Sequence, residues 1–297
     1  MPPAKIKPMS KTYSIKSGCK INLYLKILDK RRDGYHNLDS IFYPLSRPGD
    51  YIDVTLVPGS GISLRACPKS LEKSSNILLS TYKLFAAATG FYPGLKVYLS
   101  KNIPVGAGLG GGSSNAASFL LFLNSLNRAT ALTREKLFEL ASELGADVPF
   151  FIYNRPARVT GKGEIVSPVH IGLHGLHLLV ICPEVSIDTA RAYQAHDQKT
   201  RDSRPPGDSV LTTGPLTDNR SPFERIILSN CFEKTVFAEY PGLGSIKTQM
   251  LQAGASGCVL SGSGSSLCAF FRERKYLSQA CHTLDRQNVS FYYSRIN

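Results

Sequence analysis

One run of residues constrains this chain more than any other: Pro104-Val105-Gly106-Ala107-Gly108-Leu109-Gly110-Gly111-Gly112-Ser113-Ser114-Asn115. Five glycines fall within the seven residues 106–112. Without Cβ groups, backbone there takes positive φ at low cost and lets a ligand approach its N–H groups closely. The run follows an apolar strand pattern at 95–99 and leads into an apolar helix pattern at 116–126. The first N–H groups of a helix lack partners and carry partial positive charge. Strand, glycine loop and helix start together form an anion cradle suited to a di- or triphosphate. A flexible linker would not be bounded so tightly by apolar elements.

Two other glycine signatures fit less well. A P-loop needs Lys just before Ser113, where Gly112 stands. Gly106, Gly108 and Gly111 satisfy GxGxxG, but polar Lys101-Asn102 separates them from the strand. The region about twenty residues later, where a second strand should end in an acidic residue, is helical in pattern.

The rest of the chain mixes strand and helix periods without regular βαβ alternation, which predicts an α+β fold. Alternation predicts strands over 13–28 and 51–57, with a polar turn at Asp33-Gly34. A helix is expected over 76–88, capped by Ser74 or Ser75, and another behind Thr133, with Glu135 in its first turn and Gly145 past its end. Residues 161–164 read as a hairpin tip between strands at 157–160 and 165–169, and 176–182 as a further strand. Residues 195–222, polar and rich in Pro and Gly, are expected to form a mobile loop, and residues 1–12 a loose tail. With 297 residues and 42% hydrophobic content, the chain can build one large or two medium cores. A division is expected near 155–170.

Composition narrows the function classes. The net charge of +13 comes from scattered Lys and Arg, without a basic run or a nucleic-acid motif. It is expected to serve an anionic metabolite and not a nucleic acid. No apolar run reaches the roughly 18 residues of a membrane span, and the basic N-terminus lacks the apolar segment of a secretory signal. Seven cysteines without CxxC or metal-ligand spacing suggest reduced thiols and a cytoplasmic protein.

Among polar candidates, Asp147 lies after Gly145-Ala146 and before the apolar run 148–153. It is either an ordinary turn or capping aspartate or a carboxylate in a water-poor site. Lys20 lies in a strand among apolar neighbours, which is costly unless it is paired or snorkels from an edge. Tyr35, His36 and Tyr193, taken singly, read as core aromatics and a satisfied histidine.

The order P-x-G-x-G-L-G-G-G-S-S resembles the ATP-binding motif of the GHMP kinases, the family of galactokinase, homoserine kinase and mevalonate kinase. Gly18-Cys19-Lys20-Ile21-Asn22-Leu23-Tyr24-Leu25 resembles the family's N-terminal motif, and Leu260-Ser261-Gly262-Ser263-Gly264-Ser265-Ser266 its C-terminal glycine motif. Asp33-Gly34-Tyr35-His36, Ser40-Ile41-Phe42, Gly145-Ala146-Asp147-Val148-Pro149-Phe150-Phe151, Gly161-Lys162-Gly163-Glu164 and Val185-Ser186-Ile187-Asp188-Thr189 resemble one branch of it. That branch phosphorylates the 2-hydroxyl of a cytidine diphosphate derivative of methylerythritol on the non-mevalonate route to isoprenoids. Cys19 stands where Ala is usual, Ser263 where Thr is common and Tyr193 where Phe is expected.

The resemblance implies a two-domain α+β fold with the active site in the inter-domain cleft. The first domain, 1–165, would be like the second domain of ribosomal protein S5, and the second, 166–297, ferredoxin-like. It implies ATP and Mg²⁺ as cofactors, no nucleic-acid or membrane partner, and a monomer or weak homodimer. Asp147 would be the base and Lys20 its partner near the reacting hydroxyl. Pro104, Gly106, Gly108, Leu109, Gly110, Gly111, Gly112, Ser113 and Ser114 would hold the ATP phosphates, with Asn76 near adenine and Lys101 assisting. Ser114 is also a candidate magnesium ligand; the metal's other ligands are not assigned. Asn22, Phe42 and Thr189 would line the substrate pocket, Tyr35 and Tyr193 would sandwich the cytosine, and His36 would bond its edge. Homoserine or mevalonate kinase activity, or a non-catalytic binding protein on the same fold, are the competing expectations.

Overall fold

The computed structural model describes residues 11–127, 131–201 and 228–296. Alternation in the N-terminal segment produces a long strand, β1 (Thr12–Lys30), which pairs antiparallel with β2 (His36–Val57). Their turn is closed by Gly34 at φ 86° and by the Asp33 carboxylate, which accepts from Tyr35 N at 3.1 Å. β2 serves two neighbours. Its first part pairs with β5 (Ala157–Gly161), its second with β4 (Gly94–Ser100). β3 (Gly61–Cys67) lies parallel to β4, β6 (Ile165–Pro168) extends β5, and β8 (Ser229–Asn230) lies parallel to β1. Among the described residues this is a seven-stranded sheet.

Helices α1 (Ile77–Thr89), α2 (Gly111–Leu126), α3 (Arg134–Leu144) and α4 (Val148–Tyr153) pack on one face of this sheet. Leu78, Phe85, Phe119 and Leu120 meet Ile52, Val54, Val97 and Leu99 there, while Tyr51 and Tyr98 on alternate positions face solvent. That one-sided burial is what alternating strands encode.

The second sheet has the order β11-β7-β10-β9 and is antiparallel. It contains β7 (His177–Cys182), β9 (Gly257–Leu260), β10 (Leu267–Phe271) and β11 (Ser290–Arg295). One face carries α7 (Pro241–Gln252) and α8 (Arg274–Arg286), with α6 (Glu233–Glu239) beside them. The other face buries Leu178, Val180, Cys182, Cys268 and Phe270 against Cys19, Ile21 and Leu23 of β1. Covered on both sides, β7 and β10 read as continuous apolar runs in place of alternation. β1 is therefore shared: Cys19, Ile21 and Leu23 belong to the core between the sheets, and Lys20 and Asn22, which alternate with them, face a cleft.

The structure corrects three expectations. Helix α1 is capped by Asn76 and not by Ser74 or Ser75; the Asn76 side chain accepts from Leu78 N at 3.0 Å and donates to Leu71 O at 2.9 Å. Helix α2 starts at Gly111, so the last glycines and both serines form its first turn. Residues 195–201 lie in α5 (Thr189–Arg201), where a mobile loop was expected. Thr189, Tyr193 and Asp197 recur every fourth residue there, and the Pro-Pro-Gly run that breaks helices begins only at 205. The remainder of that expected loop, 202–222, lies outside the described residues, as do 1–10 of the expected tail. The expected division at 165/166 falls inside the β5–β6 hairpin of the first sheet.

Candidate active site

The glycine loop is held at both ends by Asp50 of β2, which has no solvent exposure. One carboxylate oxygen accepts from Asn102 N and Ile103 N, both at 2.8 Å. The other accepts from Asn115 Nδ2 of α2 at 2.9 Å and from the Lys101 ammonium. Burial pulls the Lys101 pKa down, and the Asp50 charge works against that shift. Between these anchors Gly106, Gly108 and Gly110 take φ of 71°, 75° and 68°. Ala107 and Leu109 alternate with them and enter the core between the sheets, beside Ile103.

Gly108 is glycine for a steric reason. A Cβ there would lie 2.0 Å from Ser261 O. Ser261 Oγ donates to Gly108 O at 3.1 Å, Ser266 N to Ala107 O at 3.2 Å and Lys20 N to Leu109 O at 2.9 Å. The loop is thus stitched to β1 and to the C-terminal glycine turn. Gly112 differs: a Cβ on it would meet nothing within 4 Å, on the side open to the cleft.

The cleft has a volume of about 1050 Å³. On its β1 wall, period-two geometry puts Lys20 and Asn22 on one face. Lys20 Nζ donates to Asn22 Oδ1 at 2.6 Å, lies 3.6 Å from Asp147 Oδ2 and 4.5 Å from the centre of the Phe42 ring. Asn22 Nδ2 donates to Ser40 Oγ at 2.9 Å, which fixes the amide so that its oxygen meets the lysine. Lys20 is 4% exposed and Asp147 keeps 30% of its side chain open. Asp147 sits at the N-cap position of α4 but makes no capping hydrogen bond there, so its carboxylate is directed to Lys20 and the cleft. The capping alternative does not describe it.

The opposite wall is α5. Thr189 Oγ1 and Ser263 Oγ are 2.9 Å apart. Tyr193 stacks on His36 at 4.9 Å and 23°, with Phe232 edge-on to it at 4.9 Å and 83°. Burial, with the Asp147 charge nearby, pushes the Tyr193 phenol up to about 12. His36 Nε2 lies 2.7 Å from Asp197 Oδ1. Tyr35 is 57% exposed with Lys162 Nζ 5.0 Å from its ring centre.

Most residues singled out from sequence line this one cleft, including Lys20, Asn22, Tyr35, His36, Phe42, Asn76, Lys101, Asp147, Thr189, Tyr193 and the loop from Pro104 to Ser113. Ser114 is the exception. It is 2% exposed and its hydroxyl pairs with Ser17 Oγ at 2.7 Å, on the side of α2 away from the cleft. A helical turn of 100° per residue carries it behind Ser113, so it is neither in the cradle nor open to a metal. Lys101 and Asn76 line the cleft but spend their polar groups on Asp50 and on the α1 cap. Residues that sequence reading missed are Asp50, Ser17, Asn230 and Asp197; Ser261 enters that reading only as part of the C-terminal glycine motif. Asn230 Nδ2 donates to Leu260 O at 2.8 Å and Gly262 O at 2.7 Å, holding the C-terminal turn. Of these, only Asp197 carried a signal, its fourth-residue spacing from Tyr193.

Residues 76–155 match the family model described as GHMP kinases N terminal domain, and residues 217–289 match GHMP kinases C terminal. The 4-diphosphocytidyl-2-C-methyl-D-erythritol kinase of Nitratidesulfovibrio vulgaris (strain DP4) is 42% identical over 96% of this chain and 99% of its own length. The protein of the same name from Lawsonia intracellularis (strain PHE/MN1-00) is 39% identical over 94% and 95%. A crystal structure of 4-(cytidine 5'-diphospho)-2C-methyl-D-erythritol kinase superposes with a TM-score of 0.77 at 30% identity, covering 95% of this chain and 98% of that one.

The Asp50 knot predicts a large stability effect. Asp50→Asn leaves the Lys101 ammonium buried beside a neutral amide and turns one accepting oxygen into a donor. Breaking a buried pair in this way costs about 3–5 kcal/mol. Urea unfolding should show that loss; a change under about 1 kcal/mol would place Asp50 among ordinary exposed ion pairs.

Proposed function

The chain belongs to the GHMP kinase family, and on that premise we propose that it transfers the γ-phosphoryl group of ATP to the 2-hydroxyl of 4-diphosphocytidyl-2-C-methyl-D-erythritol. The step belongs to the methylerythritol phosphate route to isoprenoids. The observation that carries this reading is the Lys20–Asp147 pair, 3.6 Å apart, set in one cleft between the glycine loop and the Tyr35, His36 and Tyr193 end. A compact alcohol such as homoserine or mevalonate offers no ring for that aromatic end to hold.

In this mechanism the ATP phosphates lie on the backbone of Gly106 to Ser113 at the α2 N-terminus. The acceptor hydroxyl oxygen attacks the γ-phosphorus in line and ADP leaves. Phosphoryl transfer asks the protein mainly for positioning and charge neutralisation. Asp147 orients the hydroxyl and takes its proton. Lys20, held by Asn22, keeps Asp147 in place and supplies positive charge near the transferring group. Thr189, Asn22 and Phe42 line the acceptor site, while Tyr35, His36 and Tyr193 hold the cytidine.

Among the described residues no three His, Cys, Asp or Glu side chains gather as a metal-holding group. On this reading a Mg²⁺ would be carried chiefly by phosphate oxygens and water, with Ser113 the hydroxyl of the loop that lines the cleft. The metal would offset negative charge on the phosphates. We place the division between the two halves at 169–176, between β6 and β7. No helix among the described residues is long and apolar enough to cross a membrane. On this reading the enzyme acts in the cytoplasm, as a monomer or weak homodimer, without nucleic acid.

Three measurements test the proposal. In an ATP-consumption assay across a panel of alcohols, turnover should require the cytidylylated methylerythritol; equal turnover of homoserine or mevalonate would refute the substrate assignment. Asp147→Asn is nearly isosteric and leaves Lys20 its bond to Asn22, so the protein should stay folded while kcat falls about 10²–10⁴-fold with modest KM changes. A folded Asn variant with normal kcat would make Asp147 a structural residue. Gly112→Val places a branched side chain where the protein leaves open space. It should raise the KM for ATP about tenfold or more, as expected for one lost charge-assisted hydrogen bond, without unfolding the protein. An unchanged ATP KM would remove the phosphates from the loop.

A further inference from the structure

Helix α5 presents one stripe to the cleft: Thr189, Tyr193 and Asp197, four residues apart and so on one face. The first two meet Ser263 and the His36 ring. Asp197 completes the stripe with a function of its own. Its Oδ1 lies 2.7 Å from His36 Nε2 and its Oδ2 accepts from Lys30 Nζ at 2.7 Å. Lys30 ends β1 and His36 begins β2, so one carboxylate joins α5 to both strands of the hairpin. The two contacts differ in weight. The Lys30 side chain is 55% exposed, where an ion pair contributes little, whereas the His36 side chain is 7% exposed.

Burial by itself would raise the Asp197 pKa, but hydrogen bonds from Lys30 and His36 hold the carboxyl below the usual range. An ionised carboxylate only accepts, so His36 carries a hydrogen on Nε2 in either of its charge states. The ring is then held at two points, edge-on by Asp197 and face-on by Tyr193.

We propose that Asp197 is a positioning residue for the cytidine end of the acceptor: by fixing the His36 ring against Tyr193 and clamping α5 to the β1–β2 hairpin, it preorganises the wall on which the base is held. The proposal rests on the cytidylylated acceptor assigned above. It makes Asp197 act through His36 and Tyr193 and gives it no part in the chemistry, so its effect belongs to acceptor binding and to neither the ATP site nor the turnover step. A preformed wall avoids the ordering cost that a loose tyrosine and histidine would add to each binding event.

The test is steady-state kinetics with saturating ATP and varied 4-diphosphocytidyl-2-C-methyl-D-erythritol, then the reverse, on wild type, Asp197→Ala and Asp197→Asn, with melting curves to confirm folding. Wild-type turnover of that acceptor is measured first; its absence would sink the substrate assignment and leave the clamp without an object. Given wild-type turnover, Asp197→Ala should raise the acceptor KM about tenfold, with kcat and the ATP KM within about twofold. Asp197→Asn keeps one accepting oxygen and should show a smaller rise, about threefold. A folded Ala variant with an unchanged acceptor KM, or with both KM values raised alike, overturns the proposal. Should the Ala variant fail to fold, the near-isosteric Asn variant decides by the same criterion.

Discussion

A charge with no access to water has to be satisfied inside the protein, and the Asp50 carboxylate meets that demand with four donors. They come from the strand exit, the start of the glycine loop and the first turns of α2. Two are backbone N–H groups and two are side chains, so both carboxylate oxygens are used and both ends of the loop converge on one point. A segment with five glycines in seven residues has few conformational restraints of its own. Here its ends are fixed, Ala107 and Leu109 are buried between them, and the glycines are left facing the cleft. Rigidity is supplied by neighbours, and glycine supplies close approach.

The same economy runs through β1. One strand carries apolar residues into the core between the two sheets and, on its other face, the lysine and asparagine of the site. Cys19, Ile21 and Leu23 tie the second sheet to the first, so the position of Lys20 is set by the same packing that joins the halves of the molecule. A buried lysine is costly alone. Asn22, Asp147 and the Phe42 face together make it tolerable, and in the proposed mechanism the same contacts set an ammonium beside a carboxylate where a negatively charged group would pass to an alcohol.

Strands and helices were legible wherever local periodicity and turn chemistry decide them: β1, β4, α1 and α3 lie within a few residues of the ranges expected. Errors arose where a local pattern was ambiguous. Asn76 and the two serines before it are all good caps, and only the path of the chain selects Asn76. Polar composition at 195–201 read as loop because an amphipathic helix with one narrow buried stripe is polar on most of its surface. Ser113 and Ser114 look alike in sequence, yet one faces the cleft and the other pairs with Ser17 behind the helix, a distinction made by helical phase.

By itself the sequence determined the glycine-rich loop, the family resemblance and the residue types that line the cleft, because glycine spacing, strand alternation and motif order are local properties of the chain. Only the tertiary structure decided which polar residues work together. Asp50 meets Asn115 across 65 residues, His36 meets Asp197 across 161 and Ser261 meets Gly108 across 153. No local preference marks which of these residues will pair. They are selected by the cost of leaving a buried donor, acceptor or charge unpaired, and that cost exists only once the sheets have closed around it.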